Sequence, residues 1–323
     1  MASPKTLQQA IKYFSDQQVC IDTVAALRWP DGKPTCPACE KQDHYYLKTQ
    51  KRWKCKECGK QFSVKVGTIF EDSPIALDKW LVALWMLVNC RNGVSSYEVA
   101  RAIGVTQKTA WFMMHRLRLG LQDKQSGGKL GGEPHSKVEI DETFIGGKAR
   151  NMHKGRRQKM HNIGMYAAKT AVMGMLERGG KVKTAILGGK RDKKQMHEII
   201  EENVAPGTWI MTDEFSNYAG LEKNYTHLIV NHLDRYVQGN VHTQGIENFW
   251  SLLKRGLGGT YVAVEPFHLF RYVDEQAFRF NNRRDADGNK LNDDQRFTLA
   301  LSQIAGRRLT YSELTGKDWQ ATN

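Results

Sequence analysis

The sequence predicts a multidomain α+β chain, with a small cysteine-clamped ribbon and a helical region ahead of an α/β domain built on a mixed sheet. Three observations predict it. Cys36, Cys39, Cys55 and Cys58 stand in the pattern C-x2-C-x15-C-x2-C. Apolar residues then recur at helical spacing from Leu77 to Leu119, interrupted by turn signals. From Val138 onward, short β-rich runs alternate with helical ones, which is the signature of a sheet flanked by helices.

The first element is the N-terminal stretch Leu7 to Leu27, read as one or two short amphipathic helices, ended by Pro30-Asp31-Gly32-Lys33-Pro34. The cysteine knuckles follow. His44 to Leu47 and Arg52 to Lys54 read as a hairpin whose turn is Lys48 to Lys51, and Lys60 to Val64 as a third strand. A hairpin brings both thiol pairs together. Four thiolates complete a tetrahedral Zn2+ shell with no open position, so the site is structural. Two disulfides of a secreted domain are the alternative, but Met1 to Gln9 carries no apolar leader segment and no run is long enough to span a membrane. Cys20 and Cys90 sit in helix-like apolar contexts and read as reduced core residues.

Leu77 to Cys90 reads as a helix, and Asn92-Gly93 breaks it. Ser95 and Glu98 form a capping box for a short helix to Ile103. Gly104-Val105 turns the chain, and Thr106 caps a helix carrying Trp111, Phe112, Met114 and Leu117. This order is that of a helix-turn-helix, with Gln107, Lys108, Thr109 and His115 or Arg116 on the groove-facing side; a plain helical bundle is the alternative. The 323-residue chain has net charge +14 and pI about 9.4, which favours a phosphate-rich partner.

The glycine-rich segment 126–132 reads as a linker. Beyond it, Val138 to Asp141, Thr170 to Leu176 and Lys181 to Leu187 are strands, the last two joined at Arg178-Gly179-Gly180. Lys193 to Asn203 is a helix, Trp209 to Thr212 and Thr226 to Val230 are strands, and Thr243 to Lys254 and Pro266 to Phe280 are helices. The predicted boundaries are 1–74 for the N-terminal helices and ribbon, 75–125 for the helix-turn-helix, 126–135 for the linker, 136–285 for the α/β domain and 286–323 for a C-terminal extension. Three carboxylates stand out within the α/β domain. Asp141 lies in its first strand, Asp213 follows the strand Trp209 to Thr212, and Glu247 lies one turn into a helix. Acids so placed can converge on hard divalent cations such as Mg2+, although Glu139, Glu142, Glu214 and Asp274 lie nearby and each is by default a surface acid.

The segments Leu27 to Gly32, Val138 to Lys148, Thr212 to Tyr218, Ile246 to Gly256 and Tyr272 to Arg283, in this order and spacing, carry a family resemblance. Over nearly its whole length the chain resembles bacterial insertion-sequence transposases of the DDE superfamily that carry an N-terminal zinc ribbon, the Merlin-related, ISXO2-like group. The resemblance implies an RNase H-like catalytic domain with Asp141, Asp213 and Glu247 as its acids. It implies two Mg2+ ions, replaceable by Mn2+, that support strand cleavage and strand transfer. A transcriptional regulator and an RNase H-like nuclease are the competing readings.

Further expectations concern DNA. Lys48, Lys51, Arg52 and Lys54 of the ribbon are expected on backbone phosphate, with Tyr45, Tyr46 and Trp53 in its core. Lys254 and Arg255 are expected at the DNA end, and the basic stretch from Lys148 to His161, with Arg156 and Arg157, beside the site. His242 is either an auxiliary phosphate contact or a helix-capping residue. The expected partners are double-stranded DNA at transposon ends and targets and a second copy of the chain on DNA, with no membrane, in a bacterial cytoplasm.

Overall fold

The computed structural model describes residues 3–122, 128–146, 155, 169–188, 192–230 and 242–316. They form two compact units, Met1–Gln122 with Asn282–Asn323, and Asp123–Asn281.

The first unit begins with α1 (Leu7–Tyr13) and α2 (Gln17–Arg28), each capped by its own side chain, Thr6 and Asp16. Cys20 is wholly buried on α2, and burial pushes its thiol up to about 12, so it stays protonated. The ribbon sheet follows, with β1 (His44–Leu47), β2 (Arg52–Cys55) and β3 (Gln61–Phe62) in sequential antiparallel order. Alternation along the strands turns Trp53 and Phe62 inward, where Trp53 meets Trp29 of the preceding segment at 5.3 Å between centroids. The same alternation turns Tyr45 outward at 59% exposure, with Lys56 Nζ 4.9 Å from its ring, which corrects its expected core role. The third strand is shorter than the expected 60–64. The Ser63 hydroxyl accepts from the Lys65 N–H at 3.3 Å and starts a turn in its place.

Helix α3 (Leu77–Asn89) buries nine side chains, Trp80 and Trp85 among them, and forms the centre of this unit. Helix α4 (Ser96–Ile103) has the Ser95–Glu98 capping box in both directions. It ends at Gly104, whose φ of 64° lies in the left-handed region that glycine enters at no steric cost. Helix α5 (Gln107–Gly120) starts at a Thr106 cap. Arg116 and His115 are buried on α5, so their expected place on a groove-facing side is corrected. The Arg116 guanidinium lies over Trp80 and donates to the Glu71 carbonyl at 2.5 Å, and burial pushes its pKa down.

The stretch expected as a separate C-terminal extension belongs to this first unit. Helix α9 (Asp293–Ser302) sends Phe297 against Phe14 and Trp85, at 5.4 and 5.3 Å between centroids. A shared aromatic core therefore joins the two ends of the chain, with the short α10 (Tyr311–Thr315) following.

The second unit is a five-stranded sheet. In chain order its strands are β4 (Lys137–Ile145), β5 (Thr170–Glu177), β6 (Val182–Leu187), β7 (Trp209–Thr212) and β8 (Thr226–Ile229), in spatial order β6-β5-β4-β7-β8. The first three are antiparallel neighbours, while β7 and β8 run parallel to β4. Helix α6 (Lys193–Asn203) covers one face and packs Met196 and Ile200 on Val138, Ile140 and Ile210. Helices α7 (Gln244–Gly256) and α8 (Leu269–Asn281) cover the other through Ile246, Phe249, Trp250 and Tyr272. Strand β4 is thus central, with Val138, Glu139 and Ile140 all buried.

Candidate active site and metal centre

The four knuckle sulfurs lie within 4.8 Å of one another. Cys36 and Cys58 Sγ are 3.7 Å apart, and Cys39 and Cys55 Sγ are 3.5 Å apart. A tetrahedron with Zn–S bonds of 2.3 Å has edges of about 3.8 Å, so the donor set fits Zn2+. Burial opposes ionisation of Cys36, but N–H groups of Ala38 and Cys39 and the thiols of Cys39 and Cys58 bring it down to about 7. The sulfur separations are far longer than the roughly 2.05 Å of an S–S bond, so no disulfide joins the knuckle cysteines.

The acids of the second unit are placed by the sheet register. Val138 and Ile140 of β4 point to the α6 face, so Glu139 and Asp141 point to the α7 face. On the parallel neighbour, Met211 pairs with Glu139. Two residues further along come Asp141, still within β4, and Asp213, the residue after β7 ends. The carboxyl end of parallel strands is where open α/β sheets hold ligands. Glu247 sits in the first turn of α7, above this edge, and its carboxylate accepts from the Thr243 hydroxyl at 3.1 Å. Glu247 is exposed, and Asp141 and Asp213 are half-buried.

The electrostatics bring the three together. Asp141 is pushed up to about 6, first by burial, with the Asp213 and Glu247 charges adding to the rise. Hydrogen bonds from the Glu142 backbone and the Trp250 indole act against it. Trp250 Nε1 donates to Asp141 Oδ2 at 3.0 Å. Asp213 Oδ1 accepts from the Phe215 N–H at 3.1 Å, which fixes its rotamer at the strand end. Among the described residues no salt bridge reaches these three acids, and together they are a donor set suited to hard divalent ions.

The neighbouring acids divide by face. Glu142 points to the α6 side and accepts from the buried Tyr218 hydroxyl at 2.8 Å. Glu139 is 1% exposed, so the expectation of a surface acid is corrected. Its Oε1 receives Arg178 Nε at 2.8 Å, and its Oε2 receives the Ile246 N–H of α7 at 3.0 Å. His242 is half-buried with Nδ1 3.4 Å from Glu139 Oε1, and its carbonyl accepts from Arg178 Nη2 at 2.7 Å. The histidine stands just before Thr243, the N-cap of α7, beside Glu139.

Lys254 and Arg255 are exposed in the last turn of α7. Lys48, Arg52 and Lys54 are exposed on the ribbon, and Lys51 is half-buried in its turn at φ 51°. Lys108 is exposed over the Tyr311 ring. Gln107 donates to the Ser96 hydroxyl at 2.9 Å, and Thr109 meets the Thr106 hydroxyl at 2.9 Å, so both serve the turn between α4 and α5. Lys148, Arg156 and Arg157 lie outside the described residues.

Comparison with known proteins agrees with this arrangement. Residues 129–281 match the ISXO2-like transposase domain, and residues 15–61 match the transposase zinc-ribbon domain. Both the sheet unit and the ribbon thus match domains of the ISXO2-like transposases. The chain is a DDE-type enzyme of the polynucleotidyl transferase class. A relative from Halobacterium salinarum, described as an uncharacterized protein in transposable element ISH50, is 26% identical over 261 residues. The alignment covers 76% of this chain and 85% of the relative. The matched transposase domain contains Asp141, Asp213 and Glu247, and the matched ribbon contains all four cysteines. No described helix is long and apolar enough to cross a membrane.

Proposed function

We propose that the chain binds the terminal inverted repeats of its insertion sequence and catalyses strand cleavage and strand transfer at the acids Asp141, Asp213 and Glu247. The observation that carries this is the approach of the three acids to one another: burial pushes the Asp141 carboxyl up, and the charges of Asp213 and Glu247 add to the rise. Such a cluster is costly to keep ionised without cations. Two Mg2+ ions held there supply Lewis acidity for the attacking and leaving oxygens of an in-line displacement. Asp141, Asp213 and Glu247 would hold these ions.

Cleavage attaches a water oxygen to phosphorus and breaks the bond to the 3′ oxygen, which leaves as a 3′-hydroxyl. In transfer that hydroxyl attacks a target phosphodiester, and the target's own 3′ oxygen departs. The phosphodiester count is conserved, so transfer needs no external energy source. The protein's part is to fix the acids on a rigid strand, a strand end and a helix. The mixed sheet, with three antiparallel strands continued by two parallel ones, supports an RNase H-like reading of this unit.

The first unit is read as the DNA-reading module. Helices α4 and α5 with the Gly104 turn act as a helix-turn-helix through Lys108 and its neighbours. The outward ribbon face, with Tyr45, Arg52 and Lys54, lies on the duplex backbone. Lys254 and Arg255 hold the DNA end. Two ends must be held together for transfer, so a homodimer forms on DNA.

A single sulfur substituted for a non-bridging oxygen at the scissile phosphate tests metal contact directly. Cleavage falls in Mg2+ and recovers in Mn2+, because the softer ion tolerates sulfur. No difference between the metals at the substituted phosphate contradicts the proposed chemistry.

A further inference from the structure

We propose that Glu139 is a positioning residue which, held by Arg178, sets where helix α7 presents Glu247 to Asp141. The inference rests on the reading of these acids as a divalent-cation site. Helix α7 lacks a local side-chain cap. Thr243 is the N-cap of α7, yet its side chain makes no capping hydrogen bond. Its hydroxyl is turned to Glu247 instead. The first N–H groups of the helix therefore need an acceptor from elsewhere. Glu139 supplies it: from the strand beneath, its Oε2 accepts from the Ile246 N–H at 3.0 Å. A carboxylate at this end also complements the helix dipole.

The arrangement is tight and directional. Arg178 bridges two elements, donating from Nε to Glu139 at 2.8 Å and from Nη2 to the His242 carbonyl at 2.7 Å. The strand acid and the chain entering α7 are thus tied through one guanidinium, whose planar fork suits two acceptors. Gly245 leaves the room this needs. A Cβ there would lie 2.8 Å from Glu139 Oε2 and 2.7 Å from Leu176 Cδ2. Gly174, paired with Asp141 in the sheet, leaves room further along, where a Cβ would meet the Trp250 ring at 2.6 Å.

Strand β4 therefore grips α7 twice. Glu139 holds its first turn, and Asp141 holds Trp250. Glu247 lies in the same turn that Glu139 holds, one residue beyond Ile246. Its distance from Asp141 is set by the first contact and its rotation by the second. Glu139 itself faces Arg178 and the helix N–H, so it acts through Glu247 and not as a ligand.

The test is Mn2+ titration by electron paramagnetic resonance on the full chain, with amide hydrogen exchange of the α7 N-terminal peptide on the same samples. Wild type, Asp141→Asn, Glu139→Gln and Arg178→Lys are compared. Glu139→Gln keeps the length and one acceptor oxygen but loses the charge that holds Arg178. Arg178→Lys keeps the charge but loses the fork, and it decides the matter should Glu139→Gln not fold. The expected result is Mn2+ affinity reduced about tenfold or more in Glu139→Gln, as for other residues that orient metal ligands, and reduced less in Arg178→Lys. Exchange across residues 244–247 rises, while peptides of β5 and β6 stay at wild-type rates. Wild-type Mn2+ affinity in both variants, with binding lost in Asp141→Asn, overturns the positioning role and leaves the cation site standing. Faster exchange throughout the second unit with unchanged affinity marks a merely structural residue and overturns it too. No Mn2+ binding by the wild type overturns both readings.

Discussion

Asparagine in place of Asp141 should stabilise the second unit at neutral pH in the absence of divalent cations. The Asp141 carboxyl is raised from 3.8 to about 6, chiefly by burial, with Asp213 and Glu247 adding to it. The folded state therefore keeps a proton between about pH 4 and pH 6 that the unfolded chain has already released. Stability falls as pH rises through that window and stays lower above it. At about 1.4 kcal/mol per tenfold, the ionised wild type carries a cost of about 3 kcal/mol. Asparagine removes the charge and keeps an oxygen for the Trp250 indole. Hydrogen exchange of β4 and β5 amides reads the opening of this unit separately from the first. At pH 7.5 without Mg2+, exchange in Asp141→Asn should slow by up to on the order of a hundredfold. At pH 4.5 the difference should shrink to about sixfold, and below about pH 3.5, where both states hold the proton, it should nearly vanish. Added Mg2+ should slow exchange in the wild type and leave the variant unchanged, because only the wild type binds it. Faster exchange in the variant at pH 7.5, or an equal response of both proteins to Mg2+, would refute the reasoning.

Other outcomes follow from the same geometry. Gly245→Ala gains helix propensity but drives a methyl into Glu139 and Leu176, so the second unit should lose about 1–3 kcal/mol, read by the same exchange measurement. Cys55→Ser should lower bound zinc from one atom per chain to none by metal analysis and abolish the ribbon's near-ultraviolet circular dichroism. Lys54→Ala should weaken binding to a transposon-end duplex and reduce the slope of log affinity against log salt by about one, as for a lost phosphate contact. Arg116→Ala should instead lower the melting temperature of the first unit, since its guanidinium packs on Trp80 and holds the Glu71 carbonyl; loss of DNA affinity without loss of stability would contradict its buried placement.

What the sequence made legible was local. The cysteine spacing, the Ser95–Glu98 box, the Gly104 turn and the helix Lys193–Asn203 are each written in consecutive residues, and the structure has them. Asp141, Asp213 and Glu247 were legible because a strand, a strand end and a helix start could each be placed. Glu139 was not, since an acid in a strand is by default solvated, and its partners Arg178 and Ile246 are 39 and 107 residues away. Its one local signal is the two-residue spacing to Asp141, which puts both acids on one face. Arg116 was misplaced because α5 buries more than one side, and a guanidinium stacked on Trp80 is a non-local contact. Tyr45 was misplaced because it and its neighbour Tyr46 were both assigned to the core, whereas successive strand residues face opposite sides. The return of Phe297 to Phe14 and Trp85 depends on chain topology, which no spacing records.

The most direct measurement of the central claim is cleavage and joining of a labelled duplex carrying the element's own end, with Mg2+, by the wild type and by Glu247→Gln. The account predicts joined product from the wild type and none from the variant, with end binding equal in the two. Joined product from Glu247→Gln at the wild-type rate would contradict it.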